Sequence, residues 1–331
     1  MRTNNIITIG QTVRKALLRT AILAIATIAF FFATDITLPQ SAAAYPFWAQ
    51  ATAPDTPREA TGRIVCANCH LGEKSAEIEL PLSVLPDSVF EAVVKIPYDM
   101  ESQQVLGDGS KGGLNVGAVV MLPDGFKLAP LDRIPEEKQA EFATLSYLVQ
   151  PYNQEHDNWL IFGPLPGEDY EEVTLPILSP DPKASKDINF GKYSIYLGAN
   201  RGRGQVYPTG DQTNNNMFTA SASGTITDIT TEEYVGSSVT ITSEDGSTVV
   251  DTVLPGPELV VAVGDTVAAG DALSTNPNVG GFGQEDAEIV LQDPNRIKGL
   301  IAFLGGIMLT QALLVIKKKQ VEKVQAAEMN F

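Results

Sequence analysis

Apolar residues of the 331-residue chain concentrate at its two ends, and shorter apolar runs recur between them. Between residues 45 and 294, runs such as FEAVVKI, LNVGAVVML and EEVTLPIL are separated by Pro, Gly, Asp and Asn, a pattern typical of short strands joined by turns. Only the region around residues 62–71 and the stretch PEEKQAEFATLSY predict helix. We therefore expect a mainly β protein, built as a β-sandwich.

The apolar run near the C-terminus, Gly299–Ile316, contains 18 residues without a charge. As a helix it would be ~27 Å long, close to the ~30 Å hydrocarbon core of a bilayer. A buried core helix is the alternative, but it would not explain why the run is apolar on every side. We predict one transmembrane helix over residues 297–316. The lysine-rich tail, residues 317–331, should stay on the cytoplasmic or stromal side, with the body of the chain opposite.

The N-terminal residues 1–44 have the order of a secretory signal. Basic residues precede AILAIATIAFFFA, and SAAA follows before Tyr45, as in a cleaved signal peptide. We expect cleavage between Ala44 and Tyr45. A retained N-terminal anchor is the alternative.

A second unit is predicted over residues 214–276, where Thr, Ser, Val, Asp and Gly dominate. Its segment PGPELVVAVGDTVAAGDALS resembles the lipoyl/biotinyl barrel-sandwich family, which carries its cofactor on a lysine. No lysine lies between Lys192 and Lys298, so the unit is interpreted as a scaffold, spacer or docking surface. The strand predicted after it should rejoin the first domain. The large domain would then comprise residues 45–213 and 277–294, with the small domain inserted.

Charge is divided unevenly along the chain. Residues 1–44 carry a net charge of +3 and residues 295–331 carry +4, so residues 45–294 carry −24 of the total of −17. Such an acidic body excludes nucleic-acid binding. It favours a partner that is basic or nearly neutral.

Both cysteines of the chain lie in one motif, Cys66-Ala-Asn-Cys69-His70. This spacing is typical of covalent attachment of a c-type haem. A redox dithiol is less favoured because no βαβ pattern surrounds the motif, and a zinc site would need more ligands.

His70 can fill one axial position on the iron, and the other ligand has several candidates. They are His156, three methionines, and the α-amino group of Tyr45, which signal cleavage would create and whose ordinary pKa is about 7.7–8. The methionines are Met100, Met121 and Met217. His156 lies in the polar stretch NQEHDNW, and Met121 has the surroundings of a strand core. The residues alone leave the choice open.

Several longer blocks resemble the cytochrome f family over nearly all of residues 45–331. They are AYPFWAQ, PREATGRIVCANCH, KGGLNVGAVVMLP, NRGRGQVYP and STNPNVGGFGQEDAEIVLQDP. The resemblance implies an elongated two-domain β structure with one haem c bound covalently by Cys66 and Cys69. It implies that His70 and the Tyr45 amino group are the axial ligands, that Trp48 covers the haem and that Pro46 stiffens the terminus. It also implies a buried water chain lined by Gln104, Asn200, Gln205 and Asn215.

The resemblance further implies an electron-transfer subunit rather than an enzyme. It would take one electron from the Rieske iron–sulfur protein and pass it to plastocyanin or soluble cytochrome c6, beside cytochrome b6 and the other subunits of the cytochrome b6f complex. The chain would cross the thylakoid membrane once, with its haem domain in the lumen. Of the lysines that plant members use for docking, only Lys111 is present, which favours a cyanobacterial type. A haem enzyme or gas sensor with an open sixth position is the alternative.

Overall fold

A computed structural model describes residues 46–329. The predicted signal peptide, residues 1–44, lies outside the described residues, as do Tyr45 and residues 330–331. The described chain is mainly β, as predicted.

Two antiparallel sheets form a sandwich. One has four strands in the order β1-β3-β10-β7, and the other has six in the order β2-β16-β11-β6-β9-β8, in which only β2 pairs in parallel. The strands of the first sheet are β1 Glu77–Glu79, β3 Val89–Lys95, β7 Lys127–Leu128 and β10 Glu172–Leu178. Those of the second are β2 Ser83–Val84, β6 Asn115–Met121, β8 Val149–Pro151, β9 Trp159–Pro166, β11 Gly191–Arg201 and β16 Gly281–Leu291. Strands β4 Gln104–Val105 and β5 Lys111–Gly112 form a separate ribbon.

The sandwich core lies between these two sheets because both turn apolar faces inward. Val94 and Leu175 of the four-stranded sheet pack in one cluster with Val120, Ile195 and Ile289 of the six-stranded sheet. The exposed fraction of each of these side chains is 0%. Full burial of such a side chain contributes about 1.5–3 kcal/mol to the free energy of folding. The sandwich is therefore a rigid scaffold for the segments that pack on its outer faces.

A third sheet has four strands in the order β14-β13-β12-β15 and its own apolar cluster. Its strands are β12 Gly224–Glu232, β13 Gly236–Thr242, β14 Thr248–Val253 and β15 Thr266–Val267. Two similar turns follow β14, where Asp265 and Asp271 each accept a backbone N–H through a carboxylate oxygen at 2.8 Å. After this sheet the chain continues into β16, which pairs with β11 along all 11 residues. The domain bounds given above stay a prediction.

Within residues 46–329, four α-helices accompany the sheets: α1 Pro46–Thr52, α2 Glu136–Leu148, α3 Gly167–Tyr170 and α4 Pro294–Glu328. Two short 3-10 helices span Val65–Asn68 and Leu131–Arg133. Helix α2 confirms the prediction for PEEKQAEFATLSY, and the four-residue α3 was not predicted.

Helix α4 is long and apolar enough to cross a membrane. Its N-terminus is capped by Asp293, whose carboxylate accepts the Asn295 N–H at 2.8 Å, and Pro294 occupies the first turn. No residue of the helix is buried, which contradicts the alternative of a core helix. Its 35 residues correspond to about 53 Å, so the helix extends beyond its apolar run into the basic tail.

Candidate functional site

The Cys66–His70 motif forms one turn of helix. The 3-10 helix Val65–Asn68 carries it, and the backbone carbonyl of Cys66 accepts the N–H of Cys69 at 3.2 Å and of His70 at 3.1 Å. Residues three and four apart on a helical turn lie on the same side. Cys66, Cys69 and His70 are therefore held in one backbone turn.

Burial controls the protonation of this motif. Desolvation raises the pKa of the Cys66 thiol to about 12, with the neighbouring Cys69 as a second cause, and it also raises the pKa of Cys69. His70 is 3% exposed. Burial, and then the positive charge of Arg201, lower the pKa of His70 to about 4. The imidazole is therefore neutral near pH 7, the form that binds metal.

The segment that follows the motif pairs with strand β16 through a parallel bridge between Glu73 and Phe282. Phe282 of β16 accepts the Lys74 N–H at 2.9 Å and donates to the Gly72 carbonyl at 2.7 Å. The close approach requires glycine in the sheet: a Cβ on Gly198 would lie 2.7 Å from Ile64, and one on Gly283 would lie 2.2 Å from the Lys74 carbonyl. Glycine within a strand often marks such an approach of another backbone.

Helix α1 packs against the turn of the motif and against strands β6 and β9. Tyr45, the predicted ligand, directly precedes this helix in the sequence and lies outside the described residues. Pro46 is the first residue of the helix. Trp48 is half-buried, and its ring lies 5.4 Å from that of the more exposed Phe47. The predicted N-terminal ligand is therefore the sequence neighbour of a helix that contacts the motif.

A small cleft, here called the amide cleft, opens beside His70. It is lined by Gln104, Asn115, Val116, Pro164, Asn200, Gly202 and Arg203. The Asn200 side-chain nitrogen lies 3.2 Å from Nε2 of His70. The donor and acceptor roles in this contact depend on the tautomer of His70. Nδ1 is buried without a hydrogen-bond partner among the described residues.

The other three predicted water-chain residues converge on Arg203, which the sequence analysis missed. Gln104 accepts the Arg203 N–H through Oε1 at 2.7 Å. The Arg203 carbonyl accepts Nε2 of Gln205 at 3.1 Å and Nδ2 of Asn215 at 2.8 Å. Gln104, Gln205 and Asn215 are all buried. The structure thus brings these three amides into one network, with Asn200 at its edge beside His70.

Gln205 also holds both neighbours of His70. Its backbone N–H donates to the Cys69 carbonyl at 2.7 Å, and its Oε1 accepts the Leu71 N–H at 2.8 Å. The only sequence signal for this role was the run of glycines in NRGRGQ, because Gly204 lets the loop approach the motif: a Cβ there would lie 3.0 Å from the Cys69 carbonyl.

Of the remaining candidates for the second axial position, Met121 lies in the same apolar cluster as Ile64 and Ala67 of the motif segment. His156 is half-buried and stacks on Trp159, with ring centroids 3.6 Å apart. Met121 is a buried residue of β6, as its sequence context predicted, while Met100 and Met217 are exposed. Within residues 46–329 there is no group of three or more His, Cys, Asp or Glu side chains that could hold a metal ion, so the zinc alternative finds no support there.

Comparison with known proteins gives matches along the whole chain. Residues 45–202 match the family model "Apocytochrome F, N-terminal", and residues 214–331 match "Apocytochrome F, C-terminal". Cytochrome f of Rippkaea orientalis is 65% identical over 331 residues, which cover 100% of each chain. Cytochrome f of Microcystis aeruginosa is 64% identical over the same span, and that of Trichodesmium erythraeum is 64% identical over 327 residues, 99% of each chain.

Proposed function

Because this chain belongs to the cytochrome f family, we propose that it carries one haem c and transfers single electrons within photosynthetic electron transport. It is a subunit of the cytochrome b6f complex and not an enzyme by itself. Its donor is the Rieske iron–sulfur protein, and its acceptor is plastocyanin or soluble cytochrome c6.

The observation that carries this proposal is the single backbone turn in which the Cys66 carbonyl accepts the N–H groups of Cys69 and His70. Cys66 and Cys69 attach the haem through their thiols, as in other Cys-x-x-Cys-His sites. The donor set fits the group because two thiols and a neutral imidazole lie within five consecutive residues, and because His70 and Ala67 line a second pocket, separate from the amide cleft. His70 is then one axial ligand, and the amino group of Tyr45 is the other.

When bound, the haem supplies one iron that alternates between the ferric and ferrous states. The protein's part is to fill both axial positions, which leaves no place for a substrate. Trp48 shields the group from water, and Pro46 restricts the backbone beside the ligand because its ring fixes φ. The amides of Gln104, Asn200, Gln205 and Asn215 line a buried water chain beside His70.

We place helix α4 across the thylakoid membrane as a single span. The apolar length of the helix and the lysines at its C-terminal end support this, because basic segments stay on the cytoplasmic side. The haem domain then lies in the lumen and residues 317–331 lie in the cytoplasm or stroma. The helix keeps the haem domain beside cytochrome b6 and the Rieske protein.

The experiment that tests the function is the visible spectrum of the reduced, full-length protein before and after addition of carbon monoxide. We expect no change, since two firm protein ligands leave no vacant position. A shifted Soret band would favour the alternative, a haem enzyme or gas sensor with an open sixth position. Cys66→Ser with Cys69→Ser provides the control for attachment: haem should then be lost under denaturing conditions, whereas it stays bound to the unaltered chain.

A further inference from the structure

Tyr152 connects helix α1 to the haem motif. It follows strand β8 and is 2% exposed. Its ring belongs to the apolar cluster that contains Ile64 and Ala67 of the motif segment, with Ala49 of α1 and Cys66 packed against it. One buried side chain therefore contacts both parts of the proposed site.

The hydroxyl of Tyr152 lies at the end of helix α1. It is 2.8 Å from the carbonyl oxygen of Ala49 and 2.8 Å from that of Ala53. The Ala49 carbonyl also accepts the Ala53 N–H at 2.9 Å, so the hydroxyl lies at the bond that closes the last turn of α1 and at the carbonyl of the residue after the helix, where helices commonly need outside donors. Burial, and then Cys66, raise the pKa of the Tyr152 hydroxyl, so it keeps its proton and can donate.

The helix holds Tyr152 in return. Nε2 of Gln50 donates to the Tyr152 carbonyl at 2.7 Å, and the adjacent Asn153 donates through Nδ2 to the Pro54 carbonyl at 3.1 Å. These contacts come from residues about 100 positions away in the sequence, so they fix helix and sheet to each other.

Helix α1 depends on such contacts because it has only seven residues. Isolated helices shorter than about 12–15 residues are marginal in water. Its first residue, Pro46, adjoins Tyr45, whose amino group is the proposed axial ligand. We propose that Tyr152 is a positioning residue, which holds α1 against the motif so that the Tyr45 amino group stays on the iron. This inference rests on the proposed function.

The test is Tyr152→Phe in the intact, haem-bearing chain, which removes the hydroxyl and keeps the ring. Two quantities are measured: carbon monoxide binding by the reduced protein, and amide hydrogen exchange of residues 46–53. We expect the reduced variant to bind carbon monoxide with a shifted Soret band, which the unaltered protein does not do, and amide exchange in α1 to be at least tenfold faster than in the unaltered protein. A local loss of anchoring increases local opening without unfolding the rest.

Tyr193→Phe is the matched control. Its hydroxyl donates to the Asn189 carbonyl at 2.6 Å, so this variant also loses a bond from a tyrosine to a backbone oxygen, but at a half-buried position at the margin of the sandwich core. We expect it to leave both quantities unchanged. If Tyr152→Phe does not accumulate, Gln50→Leu tests the same anchor from the other side and should change both quantities in the same direction.

The outcomes separate this inference from the proposed function. If the unaltered protein and Tyr152→Phe are equally inert to carbon monoxide, with equal exchange in α1, the inference is overturned and the axial amine stands. If the unaltered protein itself binds carbon monoxide, the axial amine is overturned, and the inference with it.

Discussion

At the scale of single residues, Gln205 is the side chain that fixes His70 in place. In Gln205→Leu the Leu71 N–H loses its acceptor, Oε1, while the backbone bond to Cys69 remains. A buried donor without an acceptor costs about 1–3 kcal/mol. We expect the free energy of unfolding, measured by denaturant titration, to fall by that amount. Gln212→Leu, at an exposed position of the same loop, should have no comparable effect, and equal losses in both variants would contradict the role given to Gln205.

Arg201 is a buried charge beside the proposed haem ligand. It is 0% exposed and donates through Nη2 to the Ser75 carbonyl, while Nε and Nη1 have no hydrogen-bond partner among the described residues. Burial lowers its pKa to about 10, so it is charged near pH 7. A nearby positive charge disfavours the ferric state, so Arg201→Met should lower the reduction potential.

The size of this change follows from the charge. Two unit charges roughly 10 Å apart, at an effective dielectric constant of about 20, interact by about 1.7 kcal/mol, which is on the order of 70 mV for a one-electron couple. Potentiometric titration measures it. Arg133→Met, which removes a surface arginine bonded to Asp87, should leave the potential unchanged. A potential that stays the same or rises in Arg201→Met would show that the charge does not act on the iron.

The motif residues could be read from the sequence, whereas their supports could not. Cys66, Cys69 and His70 are recognised by local spacing, and the four amides by resemblance to a family. Arg203 and Tyr152 act through backbone atoms and through residues about 100 positions away, and no local pattern encodes such contacts.

At the scale of elements, the haem motif depends on the glycine of strand β11 over which it lies. A methyl group on Gly198 would lie 2.7 Å from Cγ2 of Ile64, and Ile64 is 1% exposed, so neither side can easily move. Forced packing of this kind costs about 1–3 kcal/mol. Gly198→Ala should lower the free energy of unfolding by this amount and reduce the yield of protein with attached haem.

Gly113→Ala is the control for this variant, because nothing lies within 4 Å of a Cβ at Gly113. The free energy of unfolding and the yield of haem-bearing protein are measured side by side in the two variants. Similar behaviour of both would mean that the sheet accommodates a methyl group under the motif.

Elements with a clear period were predicted well, and short ones were not. The strands, helix α2 and the apolar part of helix α4 follow from apolar patterning, which reports burial on one face or exposure to lipid. The motif region was predicted as helix, and the structure has a single 3-10 turn there, with α1 before it. These two elements and α3 are too short to show a period, and packing against the sheet decides them.

At the scale of the whole molecule, net charge determines how the protein would bind its proposed soluble partner. The body, residues 45–294, carries a net charge of −24. Lys111 is exposed in β5, and its neighbours at the plant lysine positions are Ser110 and Gln103. If the chain passes electrons to a soluble acceptor as proposed, a basic docking patch of the plant kind is reduced to one lysine, and apolar contact near the haem edge or weak attraction to a basic acceptor would hold the partner.

This arrangement predicts a weak salt dependence of electron transfer to the acceptor. Exposed charge pairs contribute about 0–1 kcal/mol each and are screened beyond ~10 Å at 0.1 M salt. Stopped-flow measurement at salt concentrations below and above about 0.1 M should show a rate of electron transfer that changes less than tenfold, since few such pairs form. Glu73→Gln, at an exposed position three residues from His70, should change the rate modestly, and Glu233→Gln, in the turn between β12 and β13, should leave it unchanged. A steep fall of the rate with added salt would mean that several opposite charges pair at docking, and would contradict the weak salt dependence expected here.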